Sequence, residues 1–165
     1  MIELLDIGLL IIAIIWLIPS FVLLIECFSA VFLQKISNNF LKNRPLASFK
    51  ILIPAHNEAA VISTTLDSLL TQVESPSQIL VVADNCTDNT ADIARHHQVE
   101  VLERHDSDRR GKGFALDFGV NALRDNPPDI VIFMDADCLV EPGAIAALLR
   151  EAQSKQHPIQ ALYLL

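Results

Sequence analysis

Three scarcities in this 165-residue sequence narrow its function before any motif is considered. It holds only three cysteines, Cys27, Cys86 and Cys138, an odd number without metal-ligand spacing; they read as free thiols in a reducing compartment, which excludes a zinc site or a disulfide framework. It holds only five glycines. Gly111, Gly113 and Gly119 do not have dinucleotide-fingerprint spacing, and no G-x-x-x-x-G-K-[ST] loop exists, so ordinary ATPase chemistry is excluded. Basic charge is short as well: 12 Lys and Arg stand against 20 Asp and Glu, for a net charge of −8. From Ser48 onward nine basic residues face seventeen acidic ones, so this part carries the whole imbalance. A nonspecific nucleic-acid partner, which needs a basic face, is excluded.

Apolar residues, by contrast, are abundant, with a mean hydropathy of +0.39 and the excess at the front. "IGLLIIAIIWLIPSFVLLI", Ile7 to Ile25, is free of charge. At 1.5 Å per residue it matches a hydrocarbon core of roughly 30 Å. Pro19 would kink such a helix, which a bilayer tolerates. A cleaved signal peptide fits poorly, because Glu3 and Asp6 occupy the place of a basic n-region and no small-x-small site follows. No Lys or Arg precedes Lys35, whereas Lys42, Arg44 and Lys50 follow. The positive-inside rule therefore predicts a single-pass anchor over 1–34, a juxtamembrane linker over 35–47, and a cytoplasmic domain over 48–165.

That domain alternates regularly. "FKILIPA", "QILVVAD", "EVLE" and "DIVIFMDAD" read as strands, with "IQALYLL" as one more. "AAVISTTLDSLLTQ", "NTADIARHH", "GFALDFGVNALR" and "PGAIAALLREAQ" read as helices. The alternation predicts βαβ units and a mostly parallel, Rossmann-like α/β sheet, whose ligands lie beyond the carboxyl ends of the strands. Those ends carry "PAHNE", "ADNCTDNT", "RHDSDRRGKG" and "DADC", four polar clusters directly after apolar runs.

Each cluster has a functional and an ordinary reading. Asp135 and Asp137, read as strand residues, share a face, so a cation, a proton or a basic side chain is needed between them. Hard oxygen ligands with open positions suit Mg²⁺ or Mn²⁺ carrying a phosphate ligand; solvated acids or a helix cap are the plain alternative. An aspartyl phosphatase also ends an apolar strand in Asp-x-Asp, but Leu139 stands where such enzymes have Thr or Val, and the motif is on the fourth strand. Asp84 leaves a strand interior and could accept the N–H of a base, whereas Asp88 or Asn89 reads as a cap. Asn57 and Glu58 lie at the mouth of the first strand, Glu58 also suiting a first helical turn. His56 reads equally as a packed and as a catalytic histidine. Arg109, Arg110 and Lys112, in a glycine-bearing loop before a helix, suit a diphosphate.

Taken in order, "ILIPAHNEAAVISTTLDSL", "ILVVADNCTDNTADIA", "RRGKGFALDFGV" and "DIVIFMDADCLVEPGAI" resemble the family 2 inverting glycosyltransferases of GT-A fold, and most of all their membrane-anchored, polysaccharide-synthase-like branch. The resemblance implies that Pro54, Asn57 and Glu58 line the nucleotide pocket and that Asp84 holds uracil. It places Lys112 near the nucleotide, Asp135 on the ribose or metal side, and Asp137 on Mg²⁺ or Mn²⁺ at the diphosphate. The implied partners are a UDP-sugar donor and a glycan or lipid acceptor. No acceptor-half acid follows Asp137 and the sole tryptophan, Trp16, lies in the predicted anchor, so the resemblance places the general base beyond Leu165. A membrane-tethered module that binds nucleotide without catalysis is the alternative.

Overall fold

The computed structural model describes Gly8, Ile12, residues 14–28 and residues 47–161. The chain divides into two units, Met1–Arg44 and Pro45–Leu165. In the first, residues 14–28 form helix α1 with exposed side chains, and the Ser20 hydroxyl donates back to the Trp16 carbonyl at 2.8 Å. Among the described residues no helix is long and apolar enough to cross a membrane. The remainder of the predicted anchor, and most of the predicted linker, lie outside the described residues.

The second unit runs β1 (Phe49–Ala55), α2 (Ile62–Leu70), a 3-10 turn (Pro76–Gln78), β2 (Ile79–Asp84), α3 (Thr90–His96), β3 (Glu100–Arg104), α4 (Lys112–Ala122), β4 (Ile130–Phe133) and α5 (Ala144–Lys155). All strand pairs are parallel and the order is β3-β2-β1-β4. β1 and β2 are nearly continuous apolar runs because parallel strands at the sheet centre are covered on both faces. Successive side chains alternate between those faces. Ile51 and Ile53 pack with Ile62, Leu66 and Leu69 of α2 and with Ile145 and Leu149 of α5. Leu52, Leu80 and Val82 face the other way, against Ala115 of α4. Burying each such side chain contributes about 1.5–3 kcal/mol.

α4 approaches this second face closely because Gly119 has no side chain. A Cβ there would sit 2.5 Å from Leu52 Cδ1 and 2.9 Å from Val82 Cγ2.

Three expectations need correction. β4 stops at Phe133, so Asp135 and Asp137 are not strand residues sharing a face. The ladder ends where Met134 N–H bonds the Leu52 carbonyl at 3.1 Å, and the chain then turns. α2 begins at Ile62, since Ala59–Val61 form a turn whose bonds close on the Glu58 carbonyl. Of the predicted final strand, residues 159–161 are not in a strand, and 162–165 lie outside the described residues.

Candidate functional site

β2 and β3 lie to one side of β1 and β4 to the other, so the chain reverses its winding direction between β1 and β4. A crevice opens beyond the strand ends at such a switch point. Here it is a cleft of about 420 Å³. β1 supplies Pro54, with Glu58 just beyond it; β2 supplies Asp84; the chain past β4 supplies Asp135 and Asp137; the α4 N-terminus supplies Lys112.

Asp84 is buried, with 4% of its surface exposed, and so is Arg104, with 8%. They are the last residues of neighbouring strands and stand in register. Arg104 Nη1 donates to Asp84 Oδ1 at 2.6 Å and Nη2 to Asp106 Oδ2 at 2.9 Å, while its guanidinium lies 5.8 Å from the centre of the Phe114 ring. Two carboxylates and an aromatic face thus compensate a desolvated cation. Asn85, at φ +52°, adds a bond from Nδ2 to Asp84 Oδ1 at 3.0 Å and accepts the Asp106 N–H on Oδ1 at 2.8 Å.

Asp106 shapes the loop that follows. Its Oδ1 accepts the N–H groups of Arg109 and Asp108 at 2.9 and 3.0 Å. The Arg109 N–H bond is the main reason its carboxyl lies below the ordinary 3.8. The loop then reaches Gly111, whose φ of +116° only glycine adopts without strain. Arg110 and Gly111 line the cleft beside Lys112, and Lys112 pairs with Asp135. In this structure the positive charge beside the Asp-x-Asp pair is therefore a lysine, and it engages only the first aspartate. Ala136, between the two aspartates, turns inward: it is buried, and its carbonyl accepts the Thr65 hydroxyl at 2.7 Å. Asp137 is left exposed at the rim.

His56, which also lines the cleft, must donate from Nδ1 to the Asp84 carbonyl, 2.7 Å away, and among the described residues Nε2 has no partner in the cleft. Asn57, at φ +57°, is not among the residues that line the cleft. Its Oδ1 accepts the Thr87 N–H at 2.7 Å, so it ties the loop after β1 to the loop after β2. Cys86 lies in the same junction, with its thiol bonded to the Ala55 carbonyl at 3.4 Å and its pKa raised by burial. Asp88 caps α3 by accepting both the N–H and the hydroxyl of Thr90, and it also accepts the Ala59 N–H. The Thr90 hydroxyl is the largest cause of its lowered pKa.

The structure thus brings Pro54, Glu58, Asp84, Lys112, Asp135 and Asp137 to one cleft and leaves Asn57 as a brace outside it. Sequence reasoning missed Arg104. In the sequence Arg104 is only the first residue of the cluster "RHDSDRRGKG"; its pairing with Asp84 depends on the register of β2 and β3.

Among the described residues no group of three or more His, Cys, Asp or Glu side chains could hold a metal ion. A cage made wholly of protein is therefore absent among them. Two carboxylates at the mouth of a cleft do suit a cation that takes its other ligands from phosphate oxygens and water.

A parallel sheet wound in both directions, with a cationic loop and a carboxylate pair meeting at its switch point, defines a doubly wound α/β domain. Residues 50–163 match the model of glycosyl transferase family 2. The chain belongs to that family, and its sheet is of the GT-A type. The glycosyltransferase AglD of Haloferax volcanii is 28% identical over 115 residues, which cover 65% of this chain and 18% of that protein. A crystal structure of glucosyl-3-phosphoglycerate synthase from Mycobacterium tuberculosis, in complex with Mn²⁺, UDP and glucosyl-3-phosphoglycerate, superposes with a TM-score of 0.53 at 26% identity, covering 66% of this chain and 40% of that one. The mannosyltransferase PcManGT from Pyrobaculum calidifontis, in complex with GDP-Man and Mn²⁺, shares the fold at 24% identity and a TM-score of 0.53, over 76% of this chain and 40% of that one. This chain therefore spans less than half the length of each.

Proposed function

We propose that this chain is the donor-binding part of an inverting, metal-dependent glycosyltransferase that takes a UDP-sugar and serves a glycan or lipid acceptor. The observation that carries the reading is the meeting of Asp84, Lys112, Asp135 and Asp137 on one cleft at the switch point of a family 2 chain. Asp84 is the acceptor for a base N–H. Lys112, with the N–H groups at the α4 N-terminus, lies where a diphosphate would be held. Asp137 and Asp135 are the residues that would hold Mg²⁺ or Mn²⁺; once bound, the cation supplies Lewis-acid stabilisation of the nucleotide leaving group. Lys112 would then exchange Asp135 for phosphate oxygen.

The transferred sugar is of hexosyl or N-acetylhexosaminyl type. The uncharged run from Ile7 to Ile25 supports a membrane anchor, and the basic residues after it support a cytoplasmic domain. Nucleotide sugars are made in that compartment.

Thermal unfolding of the detergent-solubilised chain, with UDP-glucose or UDP-N-acetylglucosamine and Mn²⁺ added together and apart, tests the reading. A ligand at a hundred times its Kd stabilises by about 2.7 kcal/mol. We expect an upward shift that needs both components; no shift with any combination would overturn the assignment. Retention of the chain in carbonate-washed membranes is expected for the anchor, and its release into the wash would contradict it.

A further inference from the structure

The Asp84 carboxylate is asymmetric. Its Oδ1 accepts Arg104 Nη1 at 2.6 Å and Asn85 Nδ2 at 3.0 Å. A carboxylate oxygen has two lone pairs, so these two donors fill Oδ1. Among the described residues no hydrogen bond falls on Oδ2, although Asp84 lines the cleft. The carboxylate therefore offers a ligand one acceptor oxygen, not two.

Arg104 cannot easily release Oδ1. Its other arm is held by Asp106 at 2.9 Å, the Phe114 ring lies beside it, and the Asn85 N–H bonds its carbonyl at 2.7 Å. The fork of the guanidinium fixes both carboxylates at once, which a lysine ammonium cannot reproduce.

The number of free acceptor oxygens matters to a base. The pairing edge of guanine presents two adjacent N–H donors, N1–H and N2–H, which match both oxygens of an unencumbered carboxylate. Uracil presents a single imide N–H between two carbonyl groups, which matches one oxygen. Proteins with this fold are found with UDP and with GDP-mannose, so the base must be chosen by side chains and not by the sheet. We propose that Arg104 is a positioning residue that determines base choice: by occupying Asp84 Oδ1 it makes Asp84 a one-acceptor reader, favouring uracil and rejecting guanine. Through Asp106 the same guanidinium anchors the loop that brings Arg110 and Lys112 to the cleft. This deepens the UDP-sugar reading above and rests on it.

Calorimetric titration of UDP and of GDP into the full chain, each with Mn²⁺, tests the proposal without any variant. Wild type is expected to bind UDP about 10-fold or more tighter than GDP, the scale of one good bidentate base contact. Arg104→Met, checked by circular dichroism, is expected to collapse that ratio towards one, because Oδ1 then becomes available to guanine. Arg104→Lys, which keeps one donor near Oδ1, is expected to fall between the two. Equal wild-type affinity for UDP and GDP would overturn the role of Arg104 while leaving nucleotide binding intact. So would a folded Arg104→Met that loses the same factor for both nucleotides, since that is the mark of a merely structural arginine. A folded wild type that binds neither nucleotide would overturn this proposal together with the reading beneath it.

Discussion

The Thr65 hydroxyl donates a 2.7 Å hydrogen bond to the carbonyl of Ala136, across 71 residues of sequence. Both residues are buried, so helix α2 pins the middle of the turn that carries Asp135 and Asp137. Thr65→Val keeps the side-chain shape but leaves the Ala136 carbonyl without its donor, which costs about 1–3 kcal/mol. Urea unfolding is expected to show that loss, and UDP titration with Mn²⁺ a weaker affinity. Thr65→Ser, which keeps the hydroxyl, is expected to retain both. An unchanged UDP affinity in a destabilised Thr65→Val would separate the pin from the site.

Asp137 contributes little to the fold, because it is exposed and, among the described residues, takes part in no hydrogen bond or ion pair. Asp137→Ala is expected to unfold within about 0.5 kcal/mol of wild type. The same variant is expected to lose the Mn²⁺-dependent part of UDP binding. A variant that binds UDP and Mn²⁺ as well as wild type would remove Asp137 from the metal assignment.

Gly119 makes the opposite prediction, a large stability effect with no direct role in the site. Alanine there would press on Leu52 and Val82, both fully covered core residues, with contacts of 2.5 and 2.9 Å. Overpacking of this kind costs about 1–3 kcal/mol. Gly119→Ala is expected to lower the urea midpoint, and an unchanged midpoint would mean that α4 is free to move off the sheet.

Acid should weaken the fold in a definite window. Asp129 lies below its ordinary 3.8 first because of the Ser48 hydroxyl and then because of the Ser48 N–H, at 2.7 and 3.0 Å; Asp88 lies below it first because of the Thr90 hydroxyl. A carboxylate depressed in the folded state stabilises at any pH above its unfolded value. That contribution fades only as pH falls below 3.8 through the lowered folded value. The share of the melting temperature that Asp129 and Asp88 supply is therefore expected to hold down to that point and then to fade. Asp129→Asn is expected to melt lower at neutral pH and to lose less on acidification; an unaltered acid limb would show that the Ser48 clamp is not linked to folding.

Much of this architecture was legible because parallel strands carry apolar runs. "FKILIPA" coincides with β1, and the four polar clusters do gather at the carboxyl edge of the sheet. What misled was local. The apolar pattern of β4 continues through Met134, but the ladder to β1 ends there, so the carboxylate pair belongs to a turn whose shape depends on Thr65 in a distant helix. Asn57 sits in a motif that suits a ligand, yet its left-handed backbone and its bond to Thr87 make it a brace between loops. Arg104 was hidden because pairing it with Asp84 requires the β2–β3 register, which no single strand reveals.

The most direct test of the account is calorimetric titration of UDP into the folded, detergent-solubilised chain, with and without Mn²⁺. The account predicts saturable binding of one UDP that strengthens sharply when Mn²⁺ is present, as expected for two rim carboxylates that need phosphate oxygens to complete a cation site. A folded chain that binds no UDP under either condition, or binds it with no response to the metal, would contradict it.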